Sequence, residues 1–113
     1  MTDRELLEAA AKAAGYQLES EPASVWVVGE NSLSRVRFNE LGGHSIWNPL
    51  TDDGDALRLA VKLGIEIGNY HQYDRALAFI GSQRGSGEYW EVSDDPAAAT
   101  RRAIVRAAAA MAG

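Results

Sequence analysis

Trp47-Asn48-Pro49-Leu50-Thr51-Asp52-Asp53-Gly54-Asp55-Ala56-Leu57-Arg58-Leu59-Ala60-Val61-Lys62-Leu63-Gly64 carries a start signal, an apolar periodicity and a stop signal in one run, and so divides the chain. Thr51 or Asp52 can accept the backbone N–H groups that the first turn of a helix leaves unpaired. Asp52, Asp53 and Asp55 sit where the positive end of the helix dipole favours acids, and Gly64 suits a left-handed stop. The stretch predicts one helix, with its acids acting as a cap.

Upstream of it, Thr2-Asp3-Arg4-Glu5 has the spacing of a capping box, and Leu6, Leu7, Ala10, Ala11, Ala13 and Ala14 follow before Gly15. That is a first helix, whose mostly alanine face lets its axis approach a neighbour closely while Leu6 and Leu7 anchor it. Tyr16–Glu19, Val25–Val28 and Leu33–Phe38 are short runs rich in aromatic and β-branched residues. In the last, Val36 and Phe38 alternate with Arg35 and Arg37. They predict three antiparallel strands, with Pro22 separating the first two and Glu30-Asn31-Ser32 at hairpin length between the second and third. Asn39 to Leu50 then reads as a long glycine-bearing loop.

Downstream, Ile65–Ile67, Ala76–Ile80 and Glu88–Val92 predict a second set of strands, with turns over Gly68–Asp74 and Gly81–Gly87. The second turn has the composition of a phosphate loop but lacks the lysine and hydroxyl that follow its last glycine in a Walker motif, so it reads as a hairpin tip. Asp95-Pro96 opens a third helix running to Met111, with Ala97, Thr100, Ile104, Ala107 or Ala108, and Met111 as its apolar stripe. The order is helix, three strands, helix, three strands, helix. The fold class is α+β: a largely antiparallel sheet flanked by three helices in a layered sandwich.

The 113 residues, 46% of them hydrophobic, make a single domain over residues 1–113 with one core, burying about 65% of the unfolded surface. The chain has no cysteine, which excludes disulfides, thiolate nucleophiles and zinc–thiolate sites and suits a reducing cytoplasm. No apolar run reaches the roughly 20 residues of a membrane span, and from the charged stretch Met1–Glu5 no signal peptide is expected. No membrane partner is expected. The net charge of −5 argues against direct nucleic-acid binding, which depends on cations neutralising phosphates. All 16 acids precede residue 96, whereas Arg101, Arg102 and Arg106 stand in the last helix without an acid. Those arginines read as a solvated face complementing the helix's negative end, with an acidic-partner or phosphate surface as the alternative.

From Trp47-Asn48-Pro49 onward the chain resembles a group of small proteins encoded by tailed bacteriophages and prophages. In that group an aromatic-x-Pro-x-Thr-Asp segment leads into an Asp-Ala helix ending in Lys-Leu. The matching residues are Trp47, Pro49, Thr51, Asp52, Asp55, Ala56, Val61, Lys62 and Leu63. The closing helix Pro96 to Ala108 is similar to the group's terminal Ala-Ile-x-x-Ala-Ala helix. The resemblance covers about the last two thirds of the chain. It implies the phage ABA-sandwich fold, a sheet between helical layers, and an accessory role with no assigned catalytic residue. The chain departs from the group in lacking the closing-helix cysteine and in carrying the Gly42-Gly43-His44 loop.

An EF-hand loop needs glycine at its sixth position and glutamate at its twelfth. Counted from Asp52, Gly54 is third and Leu63 twelfth, so no metal is expected at Asp52, Asp53 and Asp55. His71 with Asp74, or His44 with an aspartate, has the makings of a general base, yet no nucleophile stands at a recognisable spacing. The expectation is a protein that is not an enzyme, with no catalytic residue and no cofactor. Gly42, Gly43, His44 and Ser45 are a candidate ligand site by their place in a long loop, with a pocket beside His44 and Trp47. Trp26, Trp47 and Trp90, each flanked by apolar residues, read as core. Tyr70, His71, Tyr73 and Asp74 differ, because they concentrate rings and negative charge in a turn where no periodicity places them inside. They are the candidate partner-binding residues.

The functional expectation is a phage or prophage accessory protein in the cytoplasm of a bacterial host, acting by binding a host or phage protein. Two other readings stand beside it: an anti-defence inhibitor whose acidic surface mimics nucleic acid, and a small-molecule or nucleotide binder. An exposed edge strand or the alanine-rich helix face can also pair two copies into a homodimer.

Overall fold

The computed structural model describes residues 2–15, 24–28, 33–38, 44–80 and 88–112, with 24–28, 33–38, 44–46 and His71 given by their backbone. Helix α1 spans Asp3–Ala13, strands β1, β2 and β3 span Ser24–Val28, Leu33–Phe38 and His44–Trp47, and helix α2 spans Asp53–Leu63. Strands β4, β5 and β6 span Ile65–Tyr70, Arg75–Ile80 and Glu88–Val92, and helix α3 spans Pro96–Met111. The fold is α+β in the predicted order of helices and strand sets.

The helix boundaries follow from local chemistry. The Thr2 hydroxyl accepts the Glu5 N–H at 3.2 Å while the Glu5 carboxylate accepts the Thr2 N–H at 3.3 Å, a complete capping box. Two bonds donated to the Glu5 carboxylate, from the Thr2 backbone N–H first and from the Thr2 hydroxyl, at 3.0 Å, second, hold its carboxyl below the ordinary pKa. For α2 the choice between Thr51 and Asp52 falls to Asp52, whose carboxylate accepts the Asp55 N–H at 2.8 Å. Gly64 then adopts φ 69°, ψ 31°, the left-handed stop, and passes the chain straight into β4. Asp95 caps α3 through the Ala98 N–H, with Pro96 at the first helical position.

Among the described residues the strands form two antiparallel three-stranded sheets, β1-β2-β3 and β4-β5-β6, where one sheet was expected. The third strand of the first sheet is also not the expected one. His44–Trp47, read from the sequence as part of the Asn39–Leu50 loop, pairs with β2, Phe38 facing His44 and Arg35 facing Trp47. Its four residues have too little β-branched or alternating character to announce a strand, and pairing along β2 supplies what propensity lacks. The strand expected over Tyr16–Glu19 lies outside the described residues, as does the Gly81–Gly87 turn. Strand β4 runs on to Tyr70, three residues past the expected end, because β5 pairs with it over its full length.

The core is helical on one side. Leu6, Leu7, Ala10, Ala11 and Ala14 of the α1 region, Ala56, Leu59 and Ala60 of α2, and Ala103, Ile104, Val105, Ala107 and Ala108 of α3 are buried together with Trp47 and Ala78. Helix α3 is the axle, packing against α1, α2 and all three strands of the second sheet. Its buried stripe is therefore wider than the predicted one and rotated from it. Ala99, Ala103, Val105 and Ala109 are inside, whereas Ala97 and Met111 are exposed. A helix covered on several flanks has no single apolar face to read.

The arginines of α3 correct a second expectation. Instead of forming a solvated face, each ties α3 to another element. Arg101 donates to the Leu50 carbonyl at 2.8 Å and pairs with Asp53 at 2.6 Å. Arg102 pairs with Asp3 at 2.9 Å and Glu91 at 3.6 Å, and Arg106 pairs with Glu91 and donates to the Trp90 carbonyl at 2.9 Å. Asp3 lies 99 positions from Arg102, a separation at which sequence spacing says nothing.

Candidate functional site

The second sheet positions the candidate partner-binding residues. Its register sets three rows across β4, β5 and β6: Glu66, Phe79, Glu88; Gly68, Leu77, Trp90; and Tyr70, Arg75, Val92. Because side chains alternate along a strand, these rows share one face, while Ile65, Ile67, Ala76, Ala78, Ile80, Tyr89 and Glu91 share the face that meets the helices. Sheet pleating thus turns Tyr70 and Trp90 away from α3.

Glycine at 68 makes the central row. A Cβ there would stand 3.0 Å from Cε2 of Tyr70, so the Tyr70 ring lies back along its own strand in the space that glycine leaves. From there it meets Trp90, ring centroids 5.7 Å apart and planes inclined by 34°, across the Leu77 position between them. The Trp90 indole N–H donates to the Glu88 carboxylate at 3.3 Å. Tyr70 remains 44% exposed and Trp90 42%, with Val92 and Tyr73 more open still. Two stacked rings at that exposure form a surface.

The turn beyond Tyr70 is a single 3₁₀ turn over His71–Tyr73, closed by Asp74 at φ 54°. Aspartate tolerates this left-handed backbone better than most residues, and the Asp74 carbonyl accepts the Ser93 N–H at 2.9 Å, extending the β5–β6 ladder by one bond. Tyr73 and Asp74 are exposed at this end, and the His71 side chain lies outside the described residues.

Trp90 is the member of this face that sequence reading assigned to the core. In Glu88-Tyr89-Trp90-Glu91-Val92 both alternate sets carry an acid, so patterning cannot say which set faces in. Arg106 decides it by drawing Glu91 inward and placing its guanidinium 5.7 Å from the Tyr89 ring centroid. Trp47 is core, as read, with 2% of its surface exposed among the helices. The other half of the candidate ligand site is not brought to it by anything described: His44 and Ser45 are placed as β3 backbone opposite Phe38 and Arg37, and their side chains, Gly42, Gly43 and the Trp26 side chain lie outside the described residues.

The aspartates of α2 also separate by role. Asp52 is the cap; Asp55 is buried, and its carboxylate accepts the Asn48 N–H at 2.9 Å and Arg58 at 2.8 Å. Among the described residues no three His, Asp or Glu side chains come together to hold a metal ion, and no helix is long and apolar enough to cross a membrane. In comparison with known proteins, the chain matches no protein-family model, no curated protein and no solved structure.

Proposed function

We propose that the chain is a bacteriophage or prophage accessory protein that works in the host cytoplasm by binding a host or phage protein, without catalysis. The observation that carries the binding reading is the Tyr70–Trp90 ring pair, exposed on the sheet face turned away from α3 and continued by Tyr73 and Val92. Large rigid rings contribute contact area at small entropic cost and are enriched where interfaces concentrate their energy. The phage assignment rests on the resemblance of the Trp47–Leu63 and Pro96–Ala108 segments.

The internal ion pairs favour this reading over nucleic-acid mimicry. Asp3, Asp53, Asp55 and Glu91 are all engaged by arginines of the same chain, which breaks up the array of free carboxylates that a phosphate mimic presents. The test is capture from bacterial lysate by the immobilised chain, with bound proteins identified by mass spectrometry. Tyr70→Ser/Trp90→Ser should keep the fold and lose the captured protein. A folded double variant that captures the same protein equally well places the contact elsewhere and removes the reading.

A further inference from the structure

Strand β6, Glu88-Tyr89-Trp90-Glu91-Val92, sets a ring beside a carboxylate on each of its two faces. On the face toward α3 these are Tyr89 and Glu91, and one cation takes both: Arg106 pairs with the Glu91 carboxylate while its guanidinium stands 5.7 Å from the Tyr89 ring centroid. A guanidinium suits this double contact because it is flat, is attracted to a ring face and is edged with N–H donors that match a carboxylate. On the opposite face the corresponding pair is Trp90 and Glu88, two positions apart in the reverse order.

The outer pair is already assembled. The Trp90 indole N–H donates to Glu88 at 3.3 Å, which fixes the carboxylate at the rim of the ring and occupies one of its roughly four acceptor positions. A guanidinium within about 6 Å of the indole centre therefore also reaches this carboxylate. Tyr70 lies against Trp90, ring centroids 5.7 Å apart, which widens the aromatic platform, and both rings are exposed. Charge is arranged unevenly about them. The row on one side of Leu77 and Trp90 is Glu66, Phe79, Glu88, with a carboxylate at each end, and the row on the other side carries Arg75. An incoming cation is drawn to the Glu88 side and repelled from the Arg75 side.

We propose that the protein bound at the Tyr70–Trp90 face presents an arginine side chain, which stacks on the Trp90 indole and pairs with Glu88 as Arg106 does with Tyr89 and Glu91 on the inner face. The inference rests on the reading of this face as a protein-binding surface and adds what the partner must carry there. Lysine fits less well, since its ammonium has no plane to lay on the ring while its hydrogens meet the carboxylate.

NMR titration of the isotope-labelled full chain with a short Arg-Gly-Gly repeat peptide at low salt tests it, with Lys-Gly-Gly and Glu-Gly-Gly repeats as comparisons. The chain has three tryptophans, and Trp90→Phe assigns the relevant indole N–H signal. The arginine peptide should move the Trp90 indole saturably and leave that of buried Trp47 in place. Glu88→Gln retains an acceptor for the indole N–H, so the melting point should hold while the peptide binds roughly tenfold more weakly. No movement of the Trp90 signal, an equal response to either comparison peptide, or unchanged binding in Glu88→Gln overturns the inference. Capture from lysate separates it from the reading beneath it. Loss of the captured protein in Tyr70→Ser/Trp90→Ser but not in Glu88→Gln overturns the arginine contact alone, loss in both supports it, and retention in both overturns the contact and the binding surface together.

Discussion

The Asp55 carboxylate accepts the backbone N–H of Asn48 at 2.9 Å, closing the approach to α2 from inside the helix. Both residues are buried, and Arg58 takes the other carboxylate oxygen. Removal of the carboxylate therefore strands a buried donor. Asp55→Ala should cost about 1–3 kcal/mol, more than the exposed cap change Asp52→Ala at about 0.5–2 kcal/mol. Asp55→Asn should recover part of the loss, since it keeps an acceptor. Urea denaturation of the three variants decides the order; equal losses in Asp52→Ala and Asp55→Ala would reduce Asp55 to a second cap.

Trp47 is the largest side chain at the junction of β3 and the helical core, 2% exposed. Trp47→Ala should cost about 3–5 kcal/mol, enough to leave much of a domain this size unfolded. Circular dichroism melts check it. A variant that melts with the wild type would put the residue outside the core.

Gly68 and Tyr70 share one space. Gly68→Ala should displace the Tyr70 ring, because the new Cβ meets Cε2 at 3.0 Å, and should uncouple it from Trp90. The atom met is the far end of a rotatable side chain, so stability should change by less than about 1 kcal/mol. Trp90 fluorescence and partner capture should change more than the melting point does. A large loss of stability with unchanged fluorescence would show that the backbone moved instead of the ring.

The capping box of α1 predicts a pH effect of known sign. Bonds from Thr2 hold the Glu5 carboxyl below its ordinary value of 4.5, so the charged form is favoured in the folded state. The stabilisation is present above that ordinary value and is lost as pH falls through the lowered folded value. Glu5→Gln should therefore be less stable than wild type near neutral pH and converge with it in acid. Parallel denaturation series at several pH values measure this; a gap that stays constant into acid would assign the effect to something other than the carboxylate.

The helices and their ends were legible in the sequence because their causes are local. Thr2 with Glu5, Asp52 with Gly64, and Asp95 with Pro96 act within one turn of the residues they satisfy. The order of elements and the α+β class followed from those stops and from strand patterning. The Tyr70–Asp74 stretch could be singled out as unaccounted for by periodicity, but its partner Trp90 could not, since β6 carries acids on both alternate sets. Tertiary structure decided the rest. His44–Trp47 became a strand because β2 was there to pair with it, Trp90 turned outward because Arg106 holds Glu91 inward, and the α3 arginines found acids in α1, α2 and β6. Caps, turns and helix stops are set by neighbours a few bonds away, whereas strand pairing, sheet faces and ion pairs between elements depend on which distant segments the core brings into contact.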